Sequence, residues 1–270
     1  MKVCKFGGTS VSSVDSIKRV AEIINSDSDR RYIIVSAPGK RWAGDEKITD
    51  MLYALADADG EEFDEVFKKL RDRFSTLVQN LGLHLDVGRE FDDLAGRIRE
   101  GASKDFVASR GEYLSAKMIA EFLGARFVDA KDLVKFEGNA LNFEGTIANI
   151  KRSLGGERAV IPGFYGSRED GEIKTFSRGG SDITGALVAC AVNADMYENW
   201  TDVDGVYSAD PRKDAGARLI ERMTYKEMYD LARQGANVLH EDAVYPAERA
   251  HVPINIKNTF NPSAHGTIIK

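Results

Sequence analysis

The chain has 270 residues, enough for a large core in one α/β domain or two lobes. Charged residues make up 30% and hydrophobic residues 43%, and 37 Lys and Arg against 43 Asp and Glu give a formal net charge of −6. This acidity argues against nucleic acid or a membrane surface as the main partner.

Two cysteines, Cys4 and Cys190, are too few for a disulfide scaffold and have no metal-ligand spacing, so both read as buried small hydrophobes. No signal peptide opens the chain, and no run approaches the roughly 18 apolar residues of a membrane span, so a cytoplasmic setting is expected. Lys2-Val3-Cys4-Lys5-Phe6 reads as a short strand broken by Gly7-Gly8, and Thr9-Ser10 precedes a helix with Ile17, Val20, Ala21 and Ile24 at helical spacing. Tyr32-Ile33-Ile34-Val35 is a continuous apolar run, as in a buried parallel strand, with a loop at Ser36-Ala37-Pro38-Gly39. The opening is thus a βαβ unit.

Residues 40–50 are polar and read as a mobile loop leading to a helix near Met51, and residues 61–123 follow a helical pattern punctuated by Gly82 and Gly101. Within it Ser109-Arg110-Gly111-Glu112 interrupts the pattern, which would put Glu112 near a helix start; a solvated glutamate is the ordinary reading there. Ala125–Asp129 reads as a strand, residues 133–147 have no clear period, and Ala159–Phe164 is a strong buried strand. A polar hairpin-like tip at 166–173 comes next, and Met196–Trp200 is a strand. Helices around 224–233 and 241–250 precede a last strand at Pro253–Lys257. Alternating strands and helices predict an α/β fold, a three-layer α/β/α sandwich with a largely parallel sheet.

Ligands in open α/β sheets bind at the carboxyl ends of strands. Loops there carry Lys5, Ser36, Arg178, Asp182, Asp202, Arg212 and Lys257, beside glycine pairs at 7–8 and 179–180. The densest stretch is Thr175-Phe176-Ser177-Arg178-Gly179-Gly180-Ser181-Asp182, which runs into a small-residue apolar helix. Glycines let backbone N–H groups approach a ligand, and a helix start favours an anion. Ser181 or Asp182 reads equally as a plain N-cap, and Lys5 as an edge-strand lysine. The spacing matches neither the P-loop nor the dinucleotide fingerprint. Hydrolytic readings fare worse, with no Gly-x-Ser-x-Gly, no His-Glu-x-x-His and four histidines outside the glycine-rich loops, of which His240 and His251 read as surface or cap residues. Two lysines, backbone amides and a helix start suit phosphoryl transfer, which is mostly charge stabilisation and positioning.

Five segments together carry a family resemblance: Lys5-Phe6-Gly7-Gly8-Thr9-Ser10-Val11, Val35-Ser36-Ala37, Arg110-Gly111-Glu112, Phe176–Asp182, and Trp200–Tyr207 with Asp210-Pro211-Arg212. In this order, over essentially the whole chain, they resemble the aspartokinases of the amino acid kinase family. The resemblance implies an amino acid kinase catalytic domain over 1–270, with a lobe of about 1–190 mainly on the substrate side and one of about 191–270 mainly on the nucleotide side. It implies transfer of the γ-phosphoryl group of ATP to the β-carboxylate of L-aspartate, the first step toward lysine, threonine and methionine. Lys5 and Asp182 would be catalytic. Ser36, Thr49, Glu112 and Arg178 would bind aspartate, and Gly7, Gly8, Thr201, Asp202, Tyr207, Arg212 and Lys257 the nucleotide. Mg²⁺ would arrive with ATP, with no dedicated protein metal site.

Aspartokinases that the chain resembles usually continue into two ACT domains that bind lysine or threonine. This sequence stops at Gly266–Lys270, so no ACT domain and no inhibition by either amino acid is expected of it. A homo-oligomer and a separate regulatory subunit both stay open as partners. Two rival functions stand beside the first: another carboxylate kinase of the same fold, such as acetylglutamate kinase, and a catalytically silent ligand-binding regulatory subunit.

Overall fold

The computed structural model describes residues 1–209, 214, 216–233 and 238–270. The opening strand β1 (Lys2–Phe6) lies at the middle of an eight-stranded sheet. Its neighbours are β2 (Arg30–Val35) and β9 (Met196–Thr201), both parallel to it. Outward from β2 run β6 (Ala159–Pro162) and β3 (Arg126–Phe127), and outward from β9 run β11 (Ile254–Asn258), β12 (Thr267–Ile269) and β10 (Arg222–Met223). Only the β11–β12 pairing is antiparallel among these described strands. A four-stranded sheet joins β5 (Ala140–Leu141), β4 (Lys135–Glu137), β7 (Tyr165–Arg168) and β8 (Ile173–Thr175).

Alternation along the central strands splits the core in two. Val3, Ile34 and Tyr197 face one cluster, which includes Ile183, Leu187, Ala243 and Ala247 of α8 (Gly180–Ala191) and α10 (Glu241–Arg249). Cys4, Phe6, Ile33, Val35 and Trp200 face the other, with α1 (Val14–Asn25), α2 (Ile48–Asp57), α3 (Gly60–Asn80), α4 (Val87–Arg99) and α5 (Lys104–Leu123). Strands buried on both faces read as unbroken apolar runs, as the sequence did at residues 32–35. The expected three-layer arrangement follows.

Local signals account for most of the helices. Ser13 caps α1 with a reciprocal capping box to Ser16, and Ile17, Val20 and Ile24 are buried below it. Gly124 ends α5 in the left-handed conformation at φ 59°. Helix α8 is apolar on every side because it is buried between the sheet and α10. The stretch 133–147, left without a period by the sequence, holds α6 (Ala130–Leu133), β4, β5 and the start of α7 (Phe143–Ser153). These elements are too short to print a period. Among the described residues no helix is long and apolar enough to cross a membrane.

Candidate active site

The carboxyl ends of β1, β2 and β9 are knitted together by backbone contacts, and between Gly8 and Gly39 only glycines permit them. Gly7 N–H donates to the Trp200 carbonyl at 3.0 Å and Gly39 N–H to the Gly8 carbonyl at 2.8 Å. A Cβ on Gly8 would sit 2.9 Å from the Ala37 oxygen, and one on Gly39 2.7 Å from the Gly8 carbonyl carbon. No side chain fits between these two loops. Gly7 gives its N–H to Trp200, so what it offers a ligand is space beside Lys5, whose Nζ lies 3.6 Å from where a Cβ would stand.

Lys5 leaves the sheet at this edge and pairs with Asp182, Nζ to Oδ1 at 2.7 Å, with both side chains mostly buried. Asp182 lies in the first turn of α8, whose N-cap Gly179 holds φ 59°. That conformation suits glycine, and a Cβ there would also meet His240 at 2.3 Å. His240 itself caps α10. The two catalytic candidates, 177 residues apart in sequence, thus meet because β1 and α8 pack directly.

Glu112 lines the same cleft as this pair. It lies in the middle of α5 rather than near a helix start, since α5 runs unbroken through Arg110 and Gly111. Gly111 marks a close approach and not a break: a Cβ there would lie 2.8 Å from the Ala37 side chain. The carboxylate is 4% exposed and its Oε2 has no hydrogen-bond partner among the described residues. Burial pushes its pKa up to about 8, against the smaller opposing effects of the Ala37 and Glu112 backbone N–H groups and Arg110.

The stretch 40–50, expected to be a mobile loop, already turns into α2 at Ile48, and its loop part is tied down from behind. Buried Arg73 of α3 donates to the Glu46 carbonyl at 2.6 Å and to the Gly39 carbonyl, and its Nη2 lies 3.3 Å from Asp45. Arg41 closes on Asp45 through two further bonds of 2.8 and 2.9 Å. That bidentate clasp outweighs burial and holds the Asp45 carboxyl well below the usual range.

Lys5, Gly8, Ser36, Thr49, Glu112 and Asp182 all line one cleft of about 620 Å³, with Thr9, Gly39, Lys40, Lys47, Phe164, Gly180 and Ser181. Arg178 stands exposed at its rim, between Ser177 and Gly179, which do line it, and it has no ion-pair partner among the described residues. On the other side of β1, Thr9 Oγ1 reaches Asp202 Oδ2 at 3.4 Å, and Thr201 Oγ1 lies 3.3 Å from Asp202 Oδ1. Tyr207 is half-buried and bridges to Leu219. Arg212 lies outside the described residues.

Lys257 does not join Lys5 in this cleft. Lys5 is in register with Asn199 and Ile256, whereas Lys257 is in register with Trp200, so the pleat turns the two lysines to opposite faces of the sheet. The Lys257 ammonium lies 5.2 Å from the Trp200 ring centre and donates to the Ala264 carbonyl at 2.7 Å. Burial lowers its pKa, partly countered by Glu198.

Sequence reasoning missed Tyr197 and Asn199, which hold Asp182 from β9, and Arg73, which holds the loop. Asn199 is the one with a signal, an amide next to a glutamate inside a central strand where apolar side chains are the rule. Arg73 looks like any charge on an amphipathic helix.

A family model described as the amino acid kinase family matches residues 1–258. The chain belongs to the amino acid kinase family. It is 39% identical over 286 residues to aspartokinase 3 of Bacillus subtilis, covering 99% of this chain and 63% of that protein. The crystal structure of Clostridium acetobutylicum aspartate kinase superposes with a TM-score of 0.94 at 45% identity, covering 100% of this chain and 63% of the other. Escherichia coli aspartokinase III in complex with aspartate and ADP gives a TM-score of 0.90 at 29% identity, over 100% of this chain and 64% of that one. The chain therefore spans just under two thirds of these relatives.

Proposed function

We propose that the chain transfers the γ-phosphoryl group of ATP to the β-carboxylate of L-aspartate, giving 4-phospho-L-aspartate and ADP. The observation that carries this reading is the pairing of opposites within one cleft. A Lys5–Asp182 ion pair and the buried carboxylate of Glu112, with one oxygen unpartnered among the described residues, line it together. A free amino acid brings an ammonium that suits Glu112 and an α-carboxylate that suits Arg178 at the rim, in the bidentate geometry of a guanidinium. Ser36 and Thr49 complete the substrate wall. The aspartate and ADP bound to the E. coli relative support both ligands.

The β-carboxylate is already ionised at neutral pH, so its oxygen attacks the γ-phosphorus without a general base. A bond forms from that oxygen to phosphorus, the bond to the β–γ bridging oxygen breaks, and ADP leaves with the electron pair. Lys5 neutralises the charge spread over the migrating phosphoryl oxygens, and Asp182 fixes the lysine in place. Gly7 and Gly8 give the phosphates room at the β1 edge. Thr201, Asp202, Tyr207 and Arg212 hold the nucleotide, and Lys257 acts from the far face of the sheet near the nucleotide rather than beside Lys5. Residues 1–190 then form mainly the substrate lobe and 191–270 mainly the nucleotide lobe. Mg²⁺ would arrive with ATP, held largely by the nucleotide's own phosphates and water. When bound there, the ion would neutralise phosphate charge.

A hydroxamate assay for acyl phosphate, with ATP, Mg²⁺ and aspartate, tests the reading. Product is expected; none at any protein concentration would favour a silent binding subunit. Faster turnover of N-acetylglutamate than of aspartate would give the reaction to the acylated substrate, which has no ammonium for Glu112.

A further inference from the structure

Asn199 occupies an inward position of β9, 1% exposed, in register with Lys5 on one side and Ile256 on the other. Its Nδ2 donates to Asp182 Oδ1 at 2.9 Å, the same oxygen that Lys5 Nζ meets at 2.7 Å. Its own Oδ1 is buried with no hydrogen-bond partner among the described residues. The chemistry of the neighbour fixes this orientation. An ion-paired carboxylate only accepts, so the amide must turn its nitrogen to Asp182 and leave its oxygen unsatisfied.

The same strand grips Asp182 a second time. Tyr197, two residues earlier and on the same face, donates its hydroxyl to the Asp182 carbonyl at 3.0 Å. That ring reaches α8 because Gly185 has no side chain, a Cβ there falling 2.5 Å from the Tyr197 hydroxyl. Main chain and side chain of Asp182 are thus both set by β9. A β-branched apolar residue would fill position 199 and suit a central strand better, without an orphaned oxygen. A half-satisfied amide kept at such a place is a cost that packing does not explain.

We infer that Asn199 is a positioning residue for the phosphoryl transfer. Its amide N–H holds the Asp182 carboxylate in the rotamer that presents Oδ1 to Lys5, so the lysine is set before the nucleotide arrives. This rests on Asp182 organising the reaction, as proposed above.

Three variants test it together in the acyl phosphate assay. Asn199→Leu, with the same branching and heavy-atom count, removes the donor and the orphaned oxygen at once. Its kcat should fall about tenfold, with KM for aspartate and ATP within about twofold of the parent. Its melting temperature should stay level or rise, where a purely structural amide would show a lower melting temperature and an unchanged kcat. Asn199→Asp should regain turnover only toward acid pH, where the introduced carboxyl holds a proton to donate, giving its kcat profile an acidic limb that the parent lacks. Unchanged kcat in Asn199→Leu overturns the inference, as does a kcat loss accompanied by a lower melting temperature with no acidic limb in Asn199→Asp. Asp182→Asn, run in parallel, separates the two levels. Full turnover there sinks the role of Asp182 itself, whereas its loss alongside a fully active Asn199→Leu sinks only the role of Asn199.

Discussion

Two buried glutamates sit on either side of β1 and have opposite fates. Glu198 on β9 is 3% exposed and surrounded by partners. Arg30 donates to it at 2.8 and 3.3 Å, Trp200 Nε1 at 3.0 Å and the Cys4 thiol at 3.4 Å. Burial pushes its pKa up, but the Arg30 hydrogen bonds and charge, with Trp200 and Lys2, outweigh it and the net shift is downward. Glu112 is as deeply buried, yet one of its oxygens has no partner among the described residues and its pKa rises to about 8. Equal burial therefore says little about a carboxylate until its donors are counted. Glu198 has its cations built in. Glu112, at the wall of a cleft, has no ion-pair partner among the described residues.

The largest expected effect is a pH-dependent one at Glu112. With a native pKa raised above the unfolded value of 4.5, this group keeps a proton that the unfolded chain releases. Stability should therefore fall as pH rises from about 4.5 to about 8 and then level off, by about 5 kcal/mol in full. Glu112→Gln should lack that slope, so chemical denaturation at about pH 5 and about pH 9 should find the variant gaining on the parent as pH rises. Parallel curves would mean that an unseen group already satisfies the carboxylate.

Glu198 should behave in the opposite sense. Its lowered pKa contributes stability above the unfolded value that is lost as pH falls through the native one. Glu198→Gln leaves the Arg30 guanidinium, 11% exposed, without its counter-ion, and should cost about 3 kcal/mol in a denaturant titration at neutral pH. If the loss is within error of zero, the contrast between the two carboxylates disappears.

The smallest of the three is kinetic. A neutral amide at 112 still fills the pocket but cannot pair with an ammonium, so KM for aspartate should rise about 100-fold, or ~2.7 kcal/mol, in Glu112→Gln. KM for ATP should stay within about twofold. A KM for aspartate that does not move would remove Glu112 from the substrate site.

Much of the molecule was legible in order along the chain. Residues 32–35 announced a two-sided strand, Gly82 and Gly101 marked helix ends at φ 68° and 87°, and the Lys5 and Gly179-Gly180 segments pointed to strand-end loops. The same reading misjudged Gly111, which looks like a helix breaker in sequence and acts as a contact point in space. It also overlooked Asn199 and Arg73, because a residue that serves by touching another distant one leaves no local pattern. The two lysines expected to gather over the phosphates were parted by one residue of register, a quantity set between strands rather than along them.

By itself the sequence determined the layer plan and the residue types at the strand ends, because periodicity and glycine placement are local consequences of backbone geometry. Tertiary structure alone decided which of those residues meet. Lys5 found Asp182, Glu112 kept one oxygen without a partner among the described residues and Lys257 turned away, because pairing and desolvation depend on pleat, register and packing among segments far apart in the chain.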